Sequence, residues 1–186
     1  MGDSSKMSNI LVVTGSIRPN SANSKLVPVV KEIIEQKDQS VVVADLGELN
    51  LPIFNSDVPP SNENFVIKDD NVKAWTEMVD SSDGVVLVMP EYNHTMSPVQ
   101  LNAIDWVGKE WQDKPVAIVS YGWTAGGGLA AATAVEALSE TLKAKVAPVQ
   151  ANLFFMKDVN PDGTLTETSE TENKISATID SLVQSI

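Results

Sequence analysis

The chain has 186 residues, 42% of them hydrophobic, which is the length of one domain and enough to bury a substantial core. Thirteen Lys and Arg against 25 Asp and Glu give a formal charge of -12, a field that repels the phosphates of nucleic acids and anionic lipid surfaces. With no cysteine, disulfides, thiolate nucleophiles, iron–sulfur clusters and Cys-based zinc sites are excluded, and the single histidine leaves no His-rich metal site.

Residues 1–8 lack the apolar run of a signal peptide, and no stretch reaches the roughly 20 apolar residues of a membrane span. They are expected to form a disordered tail ahead of one domain over 9–186. A cytoplasmic chain is expected, with neither membrane nor nucleic acid as partner. Residues 1–44 carry five bases against four acids, the only segment of positive balance, whereas 45–91 carry two against ten. An anionic ligand is therefore best sought in the first segment.

Ile10–Val13 is a short apolar run ending in Thr14-Gly15-Ser16, the pattern of a buried strand and a tight turn. Leu26, Val29, Val30, Ile33 and Ile34 recur at helical spacing, with Pro28 either in the first turn behind a cap at Ser24 or bending the helix. Ser40–Ala44, Val85–Met89, Val116–Val119 and Val146–Val149 read as further strands. Helical patterns separate them: Val72, Trp75 and Val79, then Leu101, Ile104 and Trp111, then Val135, Leu138 and Leu142. Ser169 and Glu172 make a capping box for a closing amphipathic helix through Ile175, Ile179, Leu182, Val183 and Ile186. Strands alternating with helices require parallel pairing and right-handed crossovers, hence a three-layer α/β sandwich. The polar stretch Leu51–Asp70, with Pro52, Pro59 and Pro60, is a long connection of the kind that serves as a lid or interface arm.

In such a fold ligands bind outside the carboxyl ends of the strands, where the strand order switches, so loops 14–23, 90–98 and 120–128 carry the chemistry. The first sets Gly15, the hydroxyls of Ser16 and Ser21, the amide of Asn23 and the guanidinium of Arg18 at a helix N-terminus, the donor set of an anion cradle. The same residues also suit a Ser/Asn-rich turn that caps a helix. The loop lacks the Gly-Lys-Ser/Thr ending of a triphosphate loop and the spaced glycines of a dinucleotide fingerprint. Of the chain's aromatic residues, Tyr92, Trp106, Trp111, Tyr121 and Trp123 gather beside the glycines of the third loop. That gathering suits a flat ligand rimmed by backbone amides.

Gly15-Ser-Ile-Arg18 with Ser21 and Asn23, Pro90-Glu-Tyr-Asn93, Asn102-Ala-Ile-Asp-Trp106 and Gly126–Gly128 together resemble the NADPH-dependent FMN reductases. This flavodoxin-like family includes azoreductase, quinone reductase and chromate reductase types. The resemblance implies a flavodoxin-like sandwich with a five-stranded parallel sheet of order 2-1-3-4-5. It implies FMN as cofactor, NADPH or NADH as electron donor, a small flavin, quinone or azo acceptor, and a homodimer or homotetramer. By position it implies that Ser16, Arg18, Ser21 and Asn23 hold the FMN phosphate. Pro90, Glu91, Tyr92 and Asn93 would line the isoalloxazine and ribityl chain, and Ser120, Tyr121, Gly122 and Gly126 would border the ring from the other side. The family's proline four residues after the Asn of that loop, and its leucine-lysine at seven and eight, are replaced by Ser97, Gln100 and Leu101, with proline displaced to 98.

No side-chain nucleophile is required, because a flavin carries the redox chemistry itself. Glu91 reads as turned away from the ring, since a carboxylate there opposes the charge gained on reduction. Asp105 reads as a solvated or capping residue, and Trp106 and Trp111 as helix-face packing. His94 reads as an exposed loop residue at the flavin edge, with proton donation to an acceptor as the alternative. Trp123 is either a stacking partner or an interface residue. The other class of function is a flavodoxin-like electron carrier without NAD(P)H turnover. Arg18 and the Pro90–Asn93 loop set the chain apart from the Thr-rich, arginine-free cradle usual in flavodoxins.

Overall fold

A computed structural model describes residues 7–186. Asn9–Val13 (β1), Ser40–Ala44 (β2), Gly84–Pro90 (β3) and Pro115–Gly122 (β4) pair in parallel in the order β2-β1-β3-β4. Every residue of β3 is buried, as its unbroken apolar run requires for a strand covered on both faces.

The fifth position is occupied by two short strands in place of one. Lys145–Val146 (β5) pairs with the start of β4 and Ala151–Phe154 (β6) with its end. Val116 faces Val146 but Val119 faces Ala151, so this edge carries two extra residues between its halves. Pro148 lies in that interval and has no N–H for the ladder. The strand expected over Val146–Val149 is therefore split around it, and the 2-1-3-4-5 order survives with its last strand in two pieces.

Asn23–Glu35 (α1) and Thr168–Val183 (α6) cover one face of the sheet. The short Leu46–Leu49 (α2), Asp70–Ser81 (α3), Pro98–Asp105 (α4) and Gly128–Glu136 (α5) cover the other. Strand alternation divides the core between them. Ile10 and Val12 of β1 point to the α1/α6 layer, Leu11 and Val13 to the opposite layer around Trp75 and Ile104.

Three helical details differ from the sequence pattern. α1 begins at Asn23 with Ala22 as a cap that makes no side-chain hydrogen bond, and Pro28 lies inside it, so Ser24 is not its cap. α4 ends at Asp105, and Trp111 belongs to a separate 3₁₀ turn, Lys109–Trp111. The box expected from Ser169 and Glu172 is not made, because α6 starts at Thr168 with Glu167 at its cap, which puts Ser169 inside the helix. Tertiary contacts hold that end instead. Thr171 Oγ1 donates to the Asp158 carbonyl at 3.1 Å, and Lys174 pairs with the buried Asp158 carboxylate.

The long connection is clasped to α4. Asn102 Nδ2 and Trp106 Nε1 donate to the Pro52 carbonyl at 2.9 and 2.7 Å, and Asn102 Oδ1 accepts from Phe54 N–H at 2.8 Å. Phe54 then meets the Trp106 ring edge-on, with centroids 4.9 Å apart. The Asn102–Trp106 motif is thus the fastening of this loop. Of the tail expected over residues 1–8, residues 1–6 lie outside the described residues, and Ser8 is buried, donating its N–H to Gln39 Oε1 at 2.8 Å. Among the described residues no helix is long and apolar enough to cross a membrane.

Candidate functional site

The loops after β1 and β3 meet at the switch in strand order, where β1 stands between β2 and β3. Their approach is so close that a Cβ on Gly15 would lie 2.2 Å from the Val88 carbonyl oxygen and 2.3 Å from Pro90 Cδ. The junction is then bonded through Asn23. Its Oδ1 accepts from Gly15 N–H at 2.7 Å, and its Nδ2 donates to Tyr121 Oη at 2.6 Å and to the Val88 carbonyl at 3.4 Å. Asn23 is buried and its amide is fully used in joining α1 to β1, β3 and β4. Its side chain therefore serves to fix the loop on the core.

The outward-facing donors of this loop are Ser16, Arg18 and Ser21 at the start of α1. Ser16 Oγ accepts from Arg18 N–H at 3.2 Å, and Ser21 N–H donates to the Arg18 carbonyl, also at 3.2 Å, winding the loop into successive turns. The Arg18 side chain is exposed, and among the described residues no carboxylate lies within ion-pair distance of it. Two hydroxyls, an uncompensated guanidinium and a helix N-terminus form a donor set that fits a phosphate dianion.

The second loop is a tight hairpin turn. Tyr92 and Thr95 exchange both backbone hydrogen bonds, at 2.9 and 3.0 Å, across Asn93 and His94, whose φ values of 50° and 64° are both left-handed. Asn and His tolerate that conformation better than most residues, so the turn is set by local chemistry. Ser97 then caps α4 by accepting from Gln100 N–H at 3.3 Å, with Pro98 in the first turn, so the departure from the family pattern still builds a sound helix start. Gln100, where the family has leucine, is fully buried beneath Gly15. Its Nε2 lies 3.4 Å from the carbonyls of both Thr14 and Val88, while its Oε1 has no partner.

Tyr92 Oη lies 3.0 Å from Ser16 Oγ, which joins the cradle to the second loop. Glu91 is bonded within its own chain. Its N–H donates to the Tyr121 carbonyl at 3.1 Å, and its Oε2 accepts from Leu129 and Ala130 N–H at 3.2 and 3.3 Å. It caps α5, whose own cap, Gly127, has no side chain to do so.

In the third loop Ala125, Gly126 and Gly127 are successive left-handed residues with φ of 49°, 60° and 80°. A Cβ on Gly126 would lie 2.7 Å from the Asn152 carbonyl carbon, and one on Gly127 2.6 Å from Tyr121 N, so both glycines serve the approach of α5 to β4 and β6. Ser120 is buried, its Oγ 2.9 Å from the Gly126 carbonyl and 2.8 Å from Asn152 Oδ1. Tyr121 lies within the α1/α6 layer, where burial pushes its phenol above its ordinary pKa and keeps it neutral. The side chains of Ser120 and Tyr121 thus support the loop from behind. Gly122 and Gly126 are buried as well, which leaves Trp123, Thr124 and Ala125 on the surface.

Of the gathered aromatics, Trp106 and Trp111 pack elsewhere, Tyr121 is buried, Tyr92 is half-buried and Trp123 is exposed. Trp123 is 68% exposed and leans on Phe155, ring centroids 5.2 Å apart. His94 is exposed on the turn, and Asp105, beside an apolar groove at the end of α4, has its carboxyl raised by burial. Sequence reasoning missed Asn152 and Phe155. Asn152 comes from β6 and Phe155 directly follows it, after the split in the edge strand, where no motif marks them.

Residues 8–158 match the model of the NADPH-dependent FMN reductase family, and the chain belongs to that family. It is 30% identical to the NAD(P)H-dependent FMN reductase ntnL of a Nectria species over 174 residues, 88% of this chain and 86% of the relative. It is 31% identical to an NAD(P)H-dependent FMN reductase of Schizosaccharomyces pombe over 154 residues, 80% and 74% of the two chains. Among solved structures, FerB, a flavoenzyme NAD(P)H:(acceptor) oxidoreductase from Paracoccus denitrificans, shares the fold with a TM-score of 0.76 at 24% identity, each chain covered to 96%.

Gly15→Ala is expected to destabilise the protein by more than about 2 kcal/mol, because both atoms its Cβ meets belong to a central strand. Urea unfolding measures this, and a midpoint unchanged from that of the parent would refute the close-approach argument.

Proposed function

We propose that the protein is an FMN-dependent NAD(P)H oxidoreductase that reduces a small flavin, quinone or azo acceptor. The observation that carries this reading is the Ser16–Tyr92 hydrogen bond of 3.0 Å, which joins the unpaired-arginine cradle to the second loop, and the face between the second and third loops is read as an open shelf for the flavin ring. Membership in the FMN reductase family supports it. Ser16, Arg18 and Ser21 would hold the FMN phosphate, with Asn23 fixing the loop behind them. Tyr92 and the 92–95 turn, with the backbone of 122–126, would hold the ribityl chain and ring.

FMN, when bound, supplies the redox centre that takes hydride from NAD(P)H and returns electrons to the acceptor. The chain's own contribution is positional and electrostatic. Arg18 offsets the phosphate charge, while Glu91, bound to the α5 N-terminus, adds no free carboxylate beside the ring. The turn at Asn93 and His94 holds the shelf in one conformation, and Trp123 offers an exposed aromatic face at its edge. Pro90, buried against Gly15, sets the height at which the second loop leaves β3.

The protein is further proposed to act in the cytoplasm as a homodimer or homotetramer. The clasped 51–69 connection supports this, because it carries Ile53 and Val66 exposed at 76% and 66%, unusual for apolar residues on a fastened loop. Light scattering at micromolar concentration is expected to give at least twice the 20.0 kDa mass of one chain. A monomer would overturn the assembly without touching the activity.

Arg18→Ala is expected to weaken FMN binding about ten- to a hundred-fold, since a charge-assisted hydrogen bond contributes about 1.5–3 kcal/mol. Titration of flavin-free protein with FMN tests it, and an unchanged affinity would remove the phosphate assignment.

One open shelf serves both the nicotinamide and the acceptor, so the two exclude each other. Initial rates are expected to give parallel lines in double-reciprocal plots, with acceptor competing against NAD(P)H at high concentration. Convergent lines would require a second acceptor site and dismiss the shared shelf.

A further inference from the structure

The cradle is one end of a longer groove. Thr14, Ser16, Arg18 and Ser21 line its mouth, and it runs across the carboxyl ends of β1 and β2 as a cleft of about 440 Å³. The sheet order β2-β1-β3-β4 puts groove and shelf on opposite sides of the cradle. The volume is that of a small-molecule site.

The groove's lining combines three chemistries. Its walls are apolar, from Val27 and Pro28 of α1 and Val43 of β2, with Ile17 at the lip. Asp45 and Glu48 also line it, beside Thr14, and among the described residues no cation pairs with either carboxylate. Asp45 is held in place, since its Oδ1 accepts from Gly47 N–H at 2.8 Å and Glu48 N–H at 3.3 Å. Its other oxygen has no protein donor among the described residues. Thr14 Oγ1 accepts from Leu46 N–H at 2.9 Å and fixes this corner to the cradle. The cleft thus brings anion donors, a preorganised acceptor corner next to them, and apolar walls into one site.

We propose that this groove is an adenylate subsite, holding the adenosine of a 5′-nucleotide whose phosphate lies in the cradle. The proposal rests on the reading of Ser16, Arg18 and Ser21 as a phosphate site. The flat base lies between Val27, Pro28 and Val43, and the carboxylates accept hydrogen bonds from the ribose hydroxyls. The same carboxylates repel a phosphate on the ribose, so the groove selects adenosine with a free 2′-hydroxyl. Two sources carry that group, free 5′-AMP and the AMP half of FAD. FAD would run from the shelf through the cradle into the groove.

The test titrates flavin-free full-length protein with FMN, FAD, 5′-AMP and 2′,5′-ADP, by flavin fluorescence and calorimetry. 5′-AMP is expected to compete with FMN, and 2′,5′-ADP to bind at least about tenfold more weakly than 5′-AMP. FAD binding tighter than FMN assigns the groove to the dinucleotide, and FAD no tighter, with 5′-AMP competing, assigns it to the mononucleotide. Val43→Phe, which fills the groove from the outer strand of the sheet, is expected to weaken 5′-AMP, and FAD if FAD is the occupant, about tenfold or more. FMN should stay within about twofold, which also shows that the variant is folded. Asp45→Asn keeps a capping side chain but removes the charge, and should narrow the gap between 5′-AMP and 2′,5′-ADP. If FMN binds but 5′-AMP does not compete and FAD is no tighter, or if Val43→Phe leaves every ligand unmoved, the adenylate subsite is overturned and the flavin site stands. If 5′-AMP binds with the expected Asp45 dependence and neither flavin binds, the flavin reading falls and the subsite stands. If none of the four binds, both fall.

Discussion

The site depends on one close approach. At the carboxyl ends of β1 and β3 the backbones come so near that a methyl group at position 15 has nowhere to go, with the Val88 oxygen 2.2 Å from where it would sit. A junction this tight leaves buried polar groups on every side, and each needs a partner. Asn23 supplies most of them, taking the Gly15 N–H and giving its own amide protons to Tyr121 and Val88. The start of α1 is fixed in space as a result, and the outward-facing Ser16, Arg18 and Ser21 are fixed with it. The rigidity of the cradle is therefore a property of the core beneath it.

The second constraint is electrostatic. A chain with a formal charge of -12 has to bind anionic ligands at a surface whose general field repels them. The arrangement resolves this locally. Arg18 is left without a carboxylate partner among the described residues, and Glu91 is drawn off the shelf to the N-terminus of α5, where its charge meets the positive end of the helix. Both acts of placement use backbone groups that the turns themselves provide. The same logic in reverse marks the groove past the cradle, where Asp45 and Glu48 are left uncompensated.

The long connection and the split edge strand show how irregular segments are anchored in this fold. Asn102 and Trp106 close on the Pro52 carbonyl, so a stretch rich in proline and polar residues acquires a fixed course over α4. On the other edge, the two residues inserted around Pro148 let β6 swing along the upper half of β4 and bring Asn152 under the glycine turn and Phe155 against Trp123.

The sequence by itself determined the layered α/β architecture, the three strand-end loops and the family, because apolar periodicity and glycine-rich turns are local and survive without knowledge of contacts. Pro90–Asn93 and Gly15–Arg18 were legible as site segments for the same reason. It did not determine which way their side chains face. Asn23, Ser120 and Tyr121 have the polar groups of ligand contacts, and only the packing of α1, β4 and β6 turns them inward. The cap expected at Ser169 gave way to Thr171 and Lys174 acting on Asp158, a residue more than ten positions upstream. In each case the deciding partner is distant in the chain, and a polar residue's role follows from whichever partner the tertiary structure brings within 3 Å or so.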